Sequence, residues 1–132
     1  MKTLYTTSVT AKGGRNGHLK SDNGILDLEV RTPKTLGGAN DDYANPEMLF
    51  AAGYAACFDS ALNLVISKSK TQTGETSVVA KVSLGSIENG AFGLAVELDV
   101  NIPGVSLEEA KSLTEKPIRF APTQMRREII ST

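Results

Sequence analysis

The segment Met48 to Phe58, MLFAAGYAACF, restricts this chain more than any other feature, because its only side-chain hydrogen-bond donors are a Tyr hydroxyl and a Cys thiol. It follows Asn45-Pro46-Glu47, which reads as a helix start. Asn serves as N-cap, Pro fits the first helical position, and an acid in the first turn faces the positive end of the helix dipole. The spacing predicts one helix from there to about Lys70. A surface helix would carry a polar stripe through this stretch. Its absence predicts burial on all sides, with Ala and Gly letting other backbones approach closely. A chain of 132 residues has trouble enclosing such a helix alone, so a second subunit is expected. The apolar run falls short of the about 20 residues that a membrane helix needs, and Gly53 interrupts it.

The flanks of this helix read as strands and turns. Leu4 to Ala11 is rich in Tyr, Thr and Val and ends at Gly13-Gly14, and His18 to Lys20 can start a second strand. Ser21-Asp22-Asn23-Gly24 is a turn signal. Ile25 to Thr32 alternates, with Leu26, Leu28 and Val30 on one face and Asp27, Glu29 and Arg31 on the other. Beyond the helix, Ser77 to Leu84 and Phe92 to Ile102 form a second strand pair across a loop ending in Asn89-Gly90. Ser106-Leu107-Glu108-Glu109 is a capping box for a short helix with the apolar face Leu107, Ala110 and Leu113. The order βββ, α, ββ, α implies an α+β fold of antiparallel sheets with a buried helix.

Composition narrows the function. With 40% hydrophobic and 22% charged residues the chain is an ordinary globular one, which excludes disordered, collagen-like and coiled-coil chains. Fourteen basic residues against fifteen acidic ones call for neither nucleic acid nor an anionic membrane as partner. One Cys excludes a disulfide within the chain. MKTLYTTSVTAKGGR lacks the apolar region of a signal peptide, so a cytoplasmic protein with a reduced thiol is expected.

Cys57 stands well inside the apolar helix. Its position suggests a small core hydrophobe, because burial disfavours a thiolate and the helix N-terminus is distant. A reactive Cys57 would need a cation delivered from elsewhere in the fold. Arg15 is a candidate: it follows two glycines and precedes Asn16-Gly17, so its loop can lie close against another element. Arg15 is then either a solvated loop cation or the group that keeps a thiolate ionised, since it cannot lose its own charge. Glu47 either complements the helix dipole or orients Arg15 through a bidentate pair. His18, the only histidine, is a solvated strand residue or a base. A lone Cys and a lone His make no zinc site, and the adjacent Asp41 and Asp42 read as solvated loop acids. The Gly-Gly-Ala-Asn loop at 37–40 lacks the following Lys of a phosphate loop.

Three segments, GGRNGHLKSDNGILDLEV (13–30), NPEMLFAAGYAACF (45–58) and FGLAVELDVNIPG (92–104), resemble the organic hydroperoxide resistance proteins of the OsmC/Ohr superfamily. The resemblance covers residues 2 to about 116. It implies an OsmC-like fold in an intertwined homodimer with two sites at the subunit interface. It also implies a thiol-dependent peroxidase acting on alkyl or fatty-acid hydroperoxides in oxidative stress defence. Cys57 would be the peroxidatic thiol, Arg15 the stabiliser of its thiolate, and Glu47 the residue that holds Arg15. No cofactor is implied. The reductant would be an external dithiol, such as lipoate on a protein.

The resemblance fails at the end of the chain. Relatives carry a second, resolving Cys in a Cys-Pro-Tyr-Ser-Asn-Ala-Thr-Arg string, whereas Ala121-Pro122 stands here. The codons AAA GCC CAT CAG ATT TGC CCC TAC encode a family-like Lys-Ala-His-Gln-Ile-Cys-Pro-Tyr. With one A removed they read Lys-Pro-Ile-Arg-Phe-Ala-Pro-Thr, which is 116–123 as it stands, and the agreement continues to Thr132. We therefore expect a family domain over 1–116 and an out-of-frame tail over 117–132 that replaces the second Cys and the last strand. A gene sequence without near-frame Cys-Pro-Tyr coding would remove that expectation. Loss of the resolving Cys would leave a sulfenic acid at Cys57 dependent on external thiol or open to over-oxidation, which would impair turnover. The alternative is a non-catalytic or single-Cys member of the fold that senses peroxide or binds an apolar ligand. A third reading is a structural dimer with an inert Cys.

Overall fold

The computed structural model describes residues 1–115 and 126–131, the stretch 126–130 as backbone. The chain divides into two compact units, Met1–Leu49 and Phe50–Thr132.

In the first unit, β1 (Val9–Lys12), β2 (His18–Ser21) and β3 (Asp27–Glu29) form an antiparallel sheet in that order. The strand expected from Leu4 begins only at Val9. β1 pairs solely with the four residues of β2, from Val9 opposite Ser21 to Lys12 opposite His18, so Leu4 to Ser8 meet no ladder. Leu4 and Tyr5 are accordingly exposed. The turn after β2 behaves as its residues require. Gly24 takes a φ of 74°, Asn23 Oδ1 accepts the Ile25 amide at 3.0 Å, and Ser21 Oγ accepts the Leu26 amide at 3.0 Å. β3 is shorter than the alternating run that contains it. Even so, Leu26 and Leu28 are half-buried and Val30 is fully buried, on the face that alternation assigns. Val30 makes an isolated parallel bridge to Ala44, just ahead of the next element.

That element is α1 (Pro46–Lys68), which ends two residues short of expectation. Its start is as read from the sequence: Asn45 Oδ1 accepts the Met48 amide at 2.9 Å. A single chain does not bury it on all sides. Tyr54, Phe58, Leu62 and Ile66, spaced by four, form the only buried stripe, while Ala52, Gly53, Ala56, Cys57 and Leu64 are exposed in the single chain. One layer of side chains covers one face of a helix, and the described residues supply no second layer here. The membrane expectation needs a second correction. Over all 23 residues α1 is long and apolar enough, with mean hydropathy 1.5 in its best window, to cross a bilayer by length and composition. Its buried stripe instead joins a protein core. Asp59 is also tied down at polar partners, accepting from Thr76 Oγ1 at 2.6 Å.

The second unit is completed by β4 (Ser77–Ser86), β5 (Phe92–Asn101), α2 (Leu107–Glu115) and β6 (Arg126–Ser131). β4 and β5 are antiparallel in an unbroken register from Ser77–Asn101 to Ser86–Phe92. Their connection turns at Asn89 and Gly90, both with positive φ. Val96, Leu98 and Val100 from one face of β5, with Ile102 just beyond it, enter a core shared with the α1 stripe and with Ala110 and Leu113 of α2. Ser106 caps α2, accepting the Glu109 amide at 3.1 Å. Leu107, assigned to the apolar face of α2, is exposed instead, because it lies in the first turn before the helix reaches the core.

β6 departs most from the sequence reading. A strand was expected to be missing beyond 117, yet Arg126–Ser131 pairs with β5, from Val96 opposite Arg126 to Asn101 opposite Ser131. Ile129 and Ile130 supply the β-branched propensity for this strand. The pairing is parallel, so the second sheet is mixed rather than antiparallel. The intervening α2 is the crossover that parallel neighbours need. Ala121-Pro122, at the place of the family's second Cys, lies outside the described residues.

Candidate active site

Arg15 sits in a three-residue 3-10 turn, Gly14–Asn16, between β1 and β2. The sequence around it is fixed by backbone geometry. Gly13 has φ 79° and Gly14 φ 60°, both in the left-handed region. A Cβ at Gly17 would lie 1.7 Å from the Lys12 carbonyl oxygen, so no other residue fits there without moving the strand. The turn is also held from outside. Asn16 Oδ1 accepts the Thr32 amide at 3.1 Å, and Gly17 O accepts the Val30 amide at 3.0 Å. Asn16 was read only as loop punctuation. A short polar side chain beside glycines is the signal that could have marked it as a tether.

This loop brings Arg15 to Glu47 across 32 residues of sequence. Arg15 Nη1 donates to Glu47 Oε2 at 2.9 Å, and Arg15 Nη2 donates to Glu47 Oε1, so the pair is bidentate. Glu47 is the more enclosed partner, its side chain 16% exposed against 36% for Arg15. The hydrogen bond from Arg15 holds the Glu47 carboxyl below its ordinary range, and the same bond raises the Arg15 guanidinium further. A carboxyl lowered in the folded state stabilises it above the unfolded value of 4.5, and that stabilisation fades as pH falls through the lower folded value. Thermal unfolding of the protein and of Glu47→Gln should therefore differ at pH 7 and converge on acidification below the ordinary carboxylate range. A gap that persists undiminished at pH 3 would contradict this.

Cys57 lies near the middle of α1, the helix whose first turn carries Glu47. It is exposed, so the expectation of a small buried hydrophobe is corrected: it stands one residue from the buried stripe, which turns Phe58 inward and Cys57 outward. His18 is exposed and paired with Asp27 Oδ1, opposite which Lys20 Nζ lies 3.9 Å from Oδ2. It is thus a solvated strand residue with a cross-strand partner. Asp41 Oδ1 accepts the Lys34 amide at 2.9 Å and shapes its loop.

Comparison with known proteins places the chain in a family. Residues 38–122 match the family described as OsmC-like protein. The organic hydroperoxide resistance protein of Xanthomonas axonopodis pv. citri is 44% identical over 122 residues, which cover 92% of this chain and 85% of that one. The organic hydroperoxide resistance protein OhrA of Bacillus subtilis is 45% identical over 121 residues, covering 90% of this chain and 85% of its own. The crystal structure of an organic hydroperoxide resistance protein from Elizabethkingia anophelis superposes with a TM-score of 0.90 at 65% identity, over 99% of this chain and 97% of that one. The chain belongs to the OsmC-like protein family, alongside relatives named as organic hydroperoxide resistance proteins.

Proposed function

We propose that the protein is a thiol-dependent peroxidase that reduces organic hydroperoxides, with Cys57 as nucleophile, Arg15 as the cation that favours its thiolate, and Glu47 as the group that holds Arg15. The bidentate Arg15–Glu47 pair carries this reading. A guanidinium fixed by a fork-to-fork contact has little freedom left to lose when it meets an anion, and it cannot lose its charge. In the reaction the Cys57 sulfur attacks the terminal oxygen of the hydroperoxide, and the O–O bond breaks. The alkoxide leaves and takes a proton to become the alcohol. Sulfur is oxidised by two electrons to a sulfenic acid, and the peroxide oxygen is reduced.

With no second Cys in the chain, reduction falls to an external dithiol of the lipoyl type. One thiol condenses with the sulfenic acid and releases water. The second thiol then displaces the Cys57 thiolate and closes its own disulfide. No bound cofactor enters these steps. The apolar composition of α1 suits alkyl and fatty-acid chains. Its exposed Ala, Gly and Leu positions suit a second copy of the chain in a homodimer, which we place in the cytoplasm. Neither nucleic acid nor membrane has a part in this reading.

Intact mass after one equivalent of an alkyl hydroperoxide, followed by a dithiol, tests the proposal. Rapid gain of one oxygen, reversed by the dithiol, is expected. No gain in the folded protein would overturn the enzymatic reading. A gain of one oxygen that dithiol does not reverse would favour a single-Cys sensor.

A further inference from the structure

Arg31 enters none of the chemistry above, yet it touches both segments that carry the Arg15–Glu47 pair. Its Nη1 donates to the Gly17 carbonyl at 3.2 Å and to the Val30 carbonyl at 2.7 Å. Gly17 is two residues from Arg15, in the loop whose amides and glycines are already constrained. On the other side, the Arg31 guanidinium carbon lies 4.8 Å from the centroid of the Tyr43 ring. The Arg31 amide donates to Ala44 O at 3.0 Å. Tyr43 and Ala44 run directly into the Asn45 cap and then Glu47. One side chain thus spans the 13–17 loop and the entry to α1.

Resting on the reading of Arg15 and Glu47 given above, we propose that Arg31 is a positioning residue for that pair, fixing the distance between the loop that carries Arg15 and the segment that leads to Glu47. The contact to Glu29 Oε1, at 3.5 Å between half-exposed groups, is an ordinary surface pair and does not explain the site. A planar fork serves here where an ammonium would not. It donates to carbonyls at its edge and offers a flat face to the tyrosine at the same time. The sequence conceals this role, since Arg31 ends an alternating strand on the polar face, where a solvated cation is the ordinary reading.

The test uses Arg31→Met, which keeps much of the stem and loses the donors, and Tyr43→Leu, which removes the stacking face and serves if the first variant unfolds. Two quantities are read on the folded protein: the single-turnover rate of Cys57 oxidation by an alkyl hydroperoxide, and the NMR signals of the Arg15 guanidinium. A bidentate pair hinders rotation of that group and gives separate Nη resonances. Either variant is expected to merge those resonances and to slow oxidation, by up to about a hundredfold for Arg31→Met, the scale of a misplacement near 1 Å. A role in stability alone would lower the melting temperature and leave both quantities unchanged in the folded protein, which would overturn the proposal. Arg15→Ala separates the two levels. If it oxidises as fast as the parent, the catalytic reading of Arg15 fails, while the resonances still decide whether Arg31 positions it.

Discussion

Cys57→Ser is expected to fold as the parent does and to take up no oxygen from an alkyl hydroperoxide. The substitution exchanges sulfur for oxygen at a position on α1 that is exposed in the single chain, so it breaks no contact in that chain's core. Serine has a similar shape but stays protonated at neutral pH, and an alcohol is a poor nucleophile towards an O–O bond without a base beside it. The loss should be at least ~1000-fold, and in practice the mass should not change. Arg15→Ala keeps the thiol and loses the cation, for which a drop of about 10²-fold is the expected scale of one missing electrostatic partner. Mass spectrometry of both variants beside the parent checks the order. Oxygen uptake by Cys57→Ser at the parental rate would move the chemistry to a methionine and sink the assignment.

The second large effect concerns stability. Phe58, part of the buried α1 stripe, is fully buried in the core shared with β5 and adjoins Cys57 in sequence. Phe58→Ala deletes the ring and leaves a cavity that rigid neighbours on β5 cannot fill, at a cost of about 3–5 kcal/mol. Against a typical total of roughly 5–15 kcal/mol this consumes much of the stability, and a fall in melting temperature of roughly 10–20 °C follows. Calorimetry on the two proteins measures it. A fall below about 3 °C would mean that the core can collapse around the missing ring.

Much of this architecture is legible in the residues because local chemistry decides it. Asn45 and Ser106 cap their helices through the side-chain oxygens that their identity supplies, and Gly24 and Gly90 stand where positive φ is needed. β5 buries the face that its alternation marks. The Arg15–Glu47 pair was foreseeable as an option, since a glycine-flanked Arg and a first-turn Glu are chemically matched, but its choice over solvation depends on the fold. What failed did so because it is set by partners rather than by the segment itself. Leu4 to Thr7 have strand composition and no neighbouring strand among the described residues. The Met48–Phe58 part of α1 is apolar all round, yet the described residues bury a single stripe of the helix. β6 follows from a β-branched run and an open edge on β5, neither of which the loss of family resemblance removes. Arg31 was illegible for the same reason, since its partners, a carbonyl and a ring, lie 14 and 12 residues away.

The parallel seam between β5 and β6 also sets an order of events. β4 and β5 can zip together through one short loop, whereas β6 must wait for about twenty-five residues of intervening chain to be arranged, and non-local pairing of this kind is slow. Until it closes, β5 offers a bare row of amides and carbonyls along one side, open to the same strand of another copy. The interval between hairpin closure and the docking of β6 is therefore when this chain is most prone to aggregate, and crowding during synthesis should affect its yield more than its final stability does.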